Sequence, residues 1–552
     1  MIGENHFIYP IPLCGSKLIL TVPFSPAKLG SVPRSPWGLG KRRTDEAKRG
    51  ARRSQNQWVC MIHDTYLKVI TIMASEITDR LMRRNILLFM IFVFINSFLK
   101  GQEVSSTDSL KINAINIEGN FITSKKVIYR ELIFKIDQKI SPNDIELIKQ
   151  TSINNLTKSA LFNFIEINTV EISPGLLNVK VKLVERWFIW PSGYLNHSDR
   201  NFSEWWRTKD LHKLEYGIGL KVNNFRGMGE SLEFKYHIGS LTRYEFAYNE
   251  IHLDNARHHF LSLHSTFVAM SILPWLTESN KQVIMKSGKE LLNSTEYEVK
   301  YTYRKEYFNF HTLTIGYSHY KVADTILRLN PYFFGLNNQM QRYFEIGYEF
   351  TRDTRDSHFY PKTGYLLVTG INKKGLGILS DEFNSIDISL QLFAYRKLVS
   401  RIYVASGLLY TSTSNKNYVF YSQTGLGYEQ YVRGFEYYVT TGDKSLLFKN
   451  LINFEVLPKK VVNIKFWPFR KAYQFNKIPI EIYANLFFDA GYVTDKTGAY
   501  KQYNNTLVDK LVYSSGLGVD FITYYDKLMR LDYSFNSLGE HGLFIHWKAA
   551  IR

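Results

Sequence analysis

The chain has 552 residues, a formal net charge of +19 and only two cysteines, Cys14 and Cys60. Residues 1–100 hold 15 Lys and Arg against 6 Asp and Glu, so +9 of the excess is theirs, and the other +10 is spread over about 450 residues, too dilute for a nucleic-acid footprint without clustering on one face. The absence of cysteine beyond residue 100 excludes a disulfide framework, a thiol nucleophile and a thiolate metal site there.

Met82-Arg83-Arg84, the apolar run Ile86 to Phe98 and the polar Lys100-Gly101-Gln102-Glu103 follow the order of a secretory signal peptide, expected over 82–101. The run is too short to cross a bilayer comfortably, and the small-x-small pattern near Leu99 and Gly101 is poor. A signal belongs at the N-terminus. Residues 1–81, with a basic stretch from Lys41 to Arg53 and no hydrophobic periodicity, are therefore expected to be a spurious extension ahead of a start at Met82, or a disordered basic one.

Residues 108–187 read as one compact unit. Ile112, Ala114, Ile115 and Ile117 predict a strand ending at Gly119-Asn120, and helices are predicted near Ser124–Phe134 and Pro142–Ala160. Ser141-Pro142 places a capping residue before a proline at the first helical position. Ile165, Ile167, Val170 and Ile172, then Leu177, Val179, Val181 and Leu183 after Pro174-Gly175, predict two more strands. The order is β-α-α-β-β, an α+β unit.

After about residue 190 the period becomes two. Ser231 to Ile238 places Leu232, Phe234, Tyr236 and Ile238 on one face, and Ser231, Glu233, Lys235 and His237 on the other. The alternation recurs at 297–301, 342–350, 386–393, 480–488 and 528–535. Short aromatic-rich strands separated by long loops point to a transmembrane antiparallel β-barrel over 190–552. A soluble all-β protein gives similar alternation, but the leader and the C-terminus favour the barrel. Ten candidate strands begin near 211, 230, 241, 258, 294, 309, 341, 364, 384 and 400, and five more near 446, 478, 509, 526 and 541. Bacterial single-chain barrels have an even count. The expectation is sixteen, with the missing strand inside 270–293, the turn Pro361–Gly364 on the periplasmic side and the loop containing Arg433 on the outer side.

Val432-Arg433-Gly434-Phe435 sets a cation among membrane strands, where charge is costly and needs a partner. A candidate carboxylate lies in Phe487-Phe488-Asp489-Ala490-Gly491. A guanidinium offers a planar fork of donors that matches a carboxylate, Gly434 lets the backbone bend toward the wall, and Phe435 supplies apolar packing. An exposed loop arginine is the alternative, and Glu436 and Asp443 compete as partners. Asp353-Thr354-Arg355-Asp356, with Phe359-Tyr360-Pro361 and Gly364 following, reads as a strand-end turn with local ion pairing rather than a metal or acid–base site. Trp187, Trp190, Trp205 and Trp206 fit an interfacial aromatic belt or packing between linker and barrel mouth. H-E-x-x-H and Gly-x-Ser-x-Gly are absent. Gly425-Leu426-Gly427 and Gly516-Leu517-Gly518 fit close packing in a curved sheet better than phosphate binding. No enzymatic activity, cofactor or metal is expected.

Together these features resemble the BamA/TamA family of outer-membrane insertases and translocases over residues 108–552, with a single POTRA domain at 108–187. Asn224-Phe225-Arg226-Gly227-Met228-Gly229, the turn motif of Asp353, Arg355, Asp356, Pro361 and Gly364, and Asp489-Ala490-Gly491-Tyr492-Val493 add to the match. So does the C-terminal Glu540-x-Gly542-x-x-Ile545-x-Trp547, although Lys548–Arg552 extend past the aromatic residue on which members usually end. The resemblance implies that Arg433 locks its loop to the barrel wall through the Asp489 strand. It also implies that a first strand near 211–223 and a last near 541–550 form a lateral seam, and that the periplasmic domain receives clients by β-augmentation. The implied partners are unfolded outer-membrane or secreted polypeptides, outer-membrane lipids, and accessory lipoproteins or periplasmic chaperones, with no nucleic acid. A two-partner-type secretion pore and a passive outer-membrane channel with a plug loop are the alternatives.

Overall fold

The structure, a computed structural model, describes residues 109–197 and 214–546, apart from 240, 255–257, 381, 416–417, 429, 464–476, 496–497, 499–502 and 524–526. The expected extension at 1–81 and leader at 82–101, Trp205, Trp206, Trp547 and the tail Lys548–Arg552 lie outside the described residues.

The N-terminal domain runs β1 (Leu110–Glu118), a first helix (Lys125–Glu131), β2 (Lys139–Ile140), a second helix (Ile145–Lys158), β3 (Phe162–Ser173) and β4 (Leu176–Glu185). The sheet order is β2-β1-β4-β3, with β1 parallel to β4 and β3 antiparallel to it. Ile112, Val179 and Val181 from the sheet meet Val127, Ile128 and Leu156 from the helices in a sealed core. Ser124 caps the first helix, its hydroxyl accepting from the Lys126 N–H. Pro142 opens a 3-10 turn, Pro142–Asp144, ahead of the second helix, where its missing N–H costs nothing. The two-residue β2, which pairs only with Leu110 and Lys111, adds to the expected β-α-α-β-β order. Two residues carry no readable period.

A sixteen-stranded sheet follows, every neighbouring pair antiparallel. Its first half is β5 (Ile189–His197), β6 (Leu214–Phe225), β7 (Glu230–Gly239), β8 (Leu241–His252), β9 (His259–Met270), β12 (Leu292–Lys305), β13 (Asn309–Val322) and β14 (Met340–Asp353). Its second half is β15 (Gly364–Lys374), β16 (Ser385–Val399), β17 (Ile402–Asn415), β20 (Lys444–Asn463), β21 (Lys477–Thr494), β22 (Leu511–Thr523), β23 (Lys527–Asn536) and β24 (His541–His546). Two hairpins stand outside it, β10 (Ile272–Glu278) with β11 (Lys281–Lys286), and β18 (Thr424–Leu426) with β19 (Thr440–Gly442). Sixteen is the expected count, but the location of the unplaced strand differs. Segment 270–293 supplies only the β10–β11 hairpin, and the sheet begins at Ile189–His197, not near 211–223. Pro191 and Gly193 interrupt the alternation of β5. A sheet tolerates both there because β5 is an edge strand, hydrogen-bonded to β6 alone among the described residues.

The sense of the alternation identifies the solvent. Ile218, Phe234, Leu486, Leu517 and Val519 point outward and exposed, while Glu233, Asn453, Asn485, Asp520 and Asp532 on the opposite face are buried. A water-soluble sandwich would place them the other way round. An apolar outer surface of this extent is stable only against lipid. No helix among the described residues is long and apolar enough to cross a membrane, so the strands do it.

The N-terminal domain docks on the tight turns at one end of the sheet. The Ser124 N–H donates to Gly227 O at 2.8 Å, and Asn224 Nδ2 to Thr123 Oγ1 at 2.8 Å. A Cβ on Gly227 would lie 2.3 Å from Ile122 O, so only glycine admits this approach. Arg304, at the end of β12, donates through Nη1 and Nη2 to the two oxygens of Glu131 at 2.9 and 3.0 Å, and Tyr307 Oη donates to Leu132 O at 3.2 Å. Lys158 Nζ donates to Asp353 O, at the end of β14, at 3.3 Å. Burial alone would raise the Glu131 carboxyl, but Arg304 and Arg130 outweigh it and hold the group well below the usual carboxylate range.

Candidate functional site

The loop from β17 to β20 folds back against the inner wall. There Arg433, 3 % exposed, meets Asp489 of β21, 0 % exposed. Nε donates to Oδ2 at 2.7 Å, Nη2 to Oδ1 at 2.6 Å, and the Arg433 backbone N–H to Oδ2 at 3.2 Å. A third side-chain contact runs from Nη2 to Asn450 O on β20 at 3.4 Å. The guanidinium carbon lies 3.9 Å from the centroid of the Phe487 ring. Phe487 and Asp489 point to the same side because they are two apart on one strand. One therefore stacks beneath the plane of the guanidinium while the other meets its edge.

The flanking positions have equally specific work. A Cβ on Gly491 would lie 2.6 Å from Leu426 Cδ1 and 2.7 Å from Val432 Cγ2, so the bare backbone there makes room for the loop. Gly434 turns the chain at φ +83°, where its α-carbon faces Ser534 of β23. Val432 and Phe435 are buried with Leu426, Leu447, Val493 and Val512 in one apolar cluster. Of the competing partners, Glu436 faces His546, and Asp443 stands where the chain returns to β20, its N–H donating to Thr494 O at 2.8 Å.

The Asp353–Gly364 turn folds inward from the opposite end. Asp353 accepts from Arg355 through N, Nε and Nη2 at 3.0, 3.0 and 2.6 Å. Asp356 Oδ1 accepts from the Lys362 N–H at 2.9 Å, Pro361 is buried, and a Cβ on Gly364 would lie 2.4 Å from Thr354 O. Tyr360 Oη donates to Asp520 Oδ2 of β22 at 2.9 Å, and Asp520 takes both Nε and Nη2 of Arg530 on β23 at 2.6 Å. Lys362 Nζ reaches Glu455 on β20 at 3.2 Å and Glu481 on β21 at 3.4 Å. Charged groups thus line the inner wall of β20–β23 from the loop tip to the turn. Asp520 and Arg530 escaped the sequence reading, although buried charges on strands with an apolar outer face are the signal that finds them. Gly542 and Ile545 lie on β24. Trp187 and Trp190 lie at the start of the sheet, with Trp190 Nε1 donating to Trp187 O at 2.9 Å.

At the far end the tip of the β10–β11 hairpin is clasped by the loop between β21 and β22. The Asn280 N–H donates to Asn505 Oδ1 at 2.7 Å, Asn505 Nδ2 to Thr277 O at 2.7 Å, and the Leu507 N–H to Asn280 Oδ1 at 3.0 Å. Val439 of the Arg433 loop donates its N–H to Asn280 O at 2.8 Å. β9 is the fifth strand of the sheet and β21 the thirteenth, so the clasp joins loops from opposite sides of the mouth. Among the described residues no ladder joins β5 to β24.

A lipid-facing sixteen-stranded barrel with a small α/β domain on its tight-turn end and a charge-latched loop inside defines a transmembrane β-barrel of the bacterial outer membrane. The Omp85 superfamily domain matches residues 224–538, more than half of the sequence, and the chain belongs to that superfamily. Among solved structures it is similar to BamA from Haemophilus ducreyi lacking POTRA domains 1-3, at 15 % identity over 80 % of this chain and 85 % of that one, with TM-score 0.43. It is also similar to CdiB from Escherichia coli, at 12 % identity over 82 % and 80 % with TM-score 0.47. A third similarity is to CdiB from Acinetobacter baumannii, at 11 % identity over 80 % and 74 % with TM-score 0.41. No curated protein matches the sequence. Membership makes the chain a non-enzymatic outer-membrane protein assembly factor or two-partner secretion transporter, handling outer-membrane or secreted polypeptides.

Proposed function

We propose that the protein is an assembly factor that receives unfolded polypeptide in the periplasm and delivers it sideways into the outer membrane. The N-terminal domain faces the periplasm, since short turns mark that side in bacterial barrels and the domain sits on them. Its outermost strand, β3, carries the exposed Val170 and Ile172 and pairs with β4 alone among the strands of the described residues, and an extended client adds to its other side by β-augmentation. The client then pairs at a seam between β5 and β24. Arg433 acts as a latch that holds the loop to the wall while that seam works.

One observation favours lateral delivery over axial secretion. The outer mouth is bridged by the Asn280–Asn505 clasp, while β5 and β24 share no ladder among the described residues. Strand edges in lipid must find hydrogen-bond partners, so an unpaired seam attracts a client strand. The test is depletion followed by quantification of the outer-membrane proteome. Loss of several barrel proteins is the expected result. Loss of a single secreted partner with all barrels intact would overturn the assembly reading in favour of secretion.

A further inference from the structure

The sheet ends on β5 and β24, and its hydrogen bonds fix which backbone groups each of them turns to the open side. In an antiparallel ladder the N–H and C=O of one residue point the same way, and successive residues alternate. The Asn223 N–H donates to Phe188 O at 2.7 Å, so the even-numbered residues of β5 face β6. Ile189, Pro191, Gly193, Leu195 and His197 therefore turn their backbone groups away from the sheet. On β24 the Asn536 N–H donates to Glu540 O at 2.9 Å, which sets the even-numbered residues against β23 and turns His541, Leu543 and Ile545 away from it.

The β5 edge is not uniform along its length. At Ile189 the carbonyl already accepts from Trp187 Nε1, and Trp190 Nε1 donates to the Trp187 carbonyl in turn, at 2.9 Å. Two residues on, Pro191 has no N–H to offer. The β5–β6 ladder loses nothing by this, because an amide at that position points away from β6. The missing donor belongs to the open side. An occupied carbonyl and an edge proline are both means of keeping another strand off a sheet. Both stand at the end where the N-terminal domain docks, since Phe188 pairs with Asn223 and the neighbouring Asn224 holds Thr123. From Gly193 outward the protection stops. Gly193, Leu195 and His197 each present a donor and an acceptor, three residues against the three of β24.

We propose that Trp187 and Pro191 cap the tight-turn end of the β5 edge and so set the register of the seam: an extended client strand pairs with β5 from Gly193 outward, and the stretch below stays unladdered as its way in. The proposal rests on the reading of β5 as one side of the seam. Without the cap, pairing would run the length of β5, and every added pair would have to break before a client is released.

The test is disulfide scanning in the full-length chain in outer membranes, with Cys14→Ser and Cys60→Ser removing the native thiols. Ile189→Cys, Gly193→Cys and Leu195→Cys are made one at a time, and the probe is a synthetic peptide of residues 540–552 carrying Leu543→Cys. Gly193 accepts the change, since a Cβ there meets nothing within 4 Å. Expected is linkage at Gly193 and Leu195, and roughly tenfold or more less at Ile189, where pairing forgoes two hydrogen bonds. Pro191→Ala with Trp187→Phe restores the N–H and frees the Ile189 carbonyl while keeping an aromatic ring. It should raise linkage at Ile189 toward that at Gly193. Equal linkage at the two positions in the chain with Trp187 and Pro191 intact overturns the cap, and that measurement needs neither residue changed. Linkage at Ile189 that stays low in the double variant overturns the assignment to Trp187 and Pro191. The two readings fail differently. Linkage at all three positions leaves the seam and removes the cap, whereas linkage at none of them removes the seam and the proposal with it.

Discussion

Val432 of the loop fills the space that a side chain on Gly491 would need. Its Cγ2 would lie 2.7 Å from a Cβ there, with Leu426 Cδ1 on the other side at 2.6 Å. Gly491→Ala is therefore an overpacking change, expected to destabilise the seated loop by about 1–3 kcal/mol. External protease on intact cells should cleave the loop in this variant and spare the parent. Equal resistance in both would show that the loop does not depend on this packing.

Arg433→Ala leaves the fully buried Asp489 without its counter-charge, a change worth about 3–5 kcal/mol. The barrel should unfold at lower temperature on semi-native gels. Arg433→Lys restores charge without the two-pronged geometry and should fall between. Removing both partners, Arg433→Ala with Asp489→Ala, should cost less than the sum of the single changes. Additive losses would mean that the pair does not act as a unit.

The Glu131–Arg304 contact has a defined pH dependence. The folded carboxyl lies below its unfolded value, so its stabilisation is fully present above the ordinary glutamate range, about pH 4.3, and is lost as the pH falls through the depressed folded value. Docking should be insensitive to pH between 5 and 8 and fail only in strong acid. Arg304→Ala should loosen the domain at neutral pH by removing two charge-assisted hydrogen bonds to Glu131 and leaving Arg130 as its remaining cation, at about 1.5–3 kcal/mol. Distance measurements between labels on the second helix and on β13 read this directly, and unchanged distances in Arg304→Ala would refute the clamp.

Bridging Asn280→Cys to Asn505→Cys with a short thiol cross-linker fixes the clasp shut in a chain whose other cysteines are only Cys14 and Cys60. Lateral delivery predicts undiminished insertion of client barrels with the bridge in place. Arrest on cross-linking, reversed by reduction of a cleavable linker, would place the client path through the mouth.

What could be read from the sequence followed the range of the signal. The pairing of Arg433 with Asp489 was expected because a buried charge demands an opposite one and each stood in a recognisable motif. Strand number was accessible through parity, while strand location failed at β5, where Pro191 and Gly193 removed the alternation. The same alternation left the sense of the faces open, and only the exposure of residues such as Phe234 and Leu517 assigned the apolar side to lipid. Contacts such as Glu131 with Arg304 and Asn280 with Asn505 were invisible. Their partners are 173 and 225 residues apart and carry no local pattern.

The clasp between Asn280 and Asn505 also has a mechanical meaning. A barrel is a hoop, and a tie between its fifth and thirteenth strands is a spoke across the diameter. Spreading the outer rim to admit a client strand lengthens that diameter and strains the spoke, whereas spreading the inner rim leaves it slack. The hoop is thus biased to part from its periplasmic end, so a client strand would enter the wall from below and zip outward.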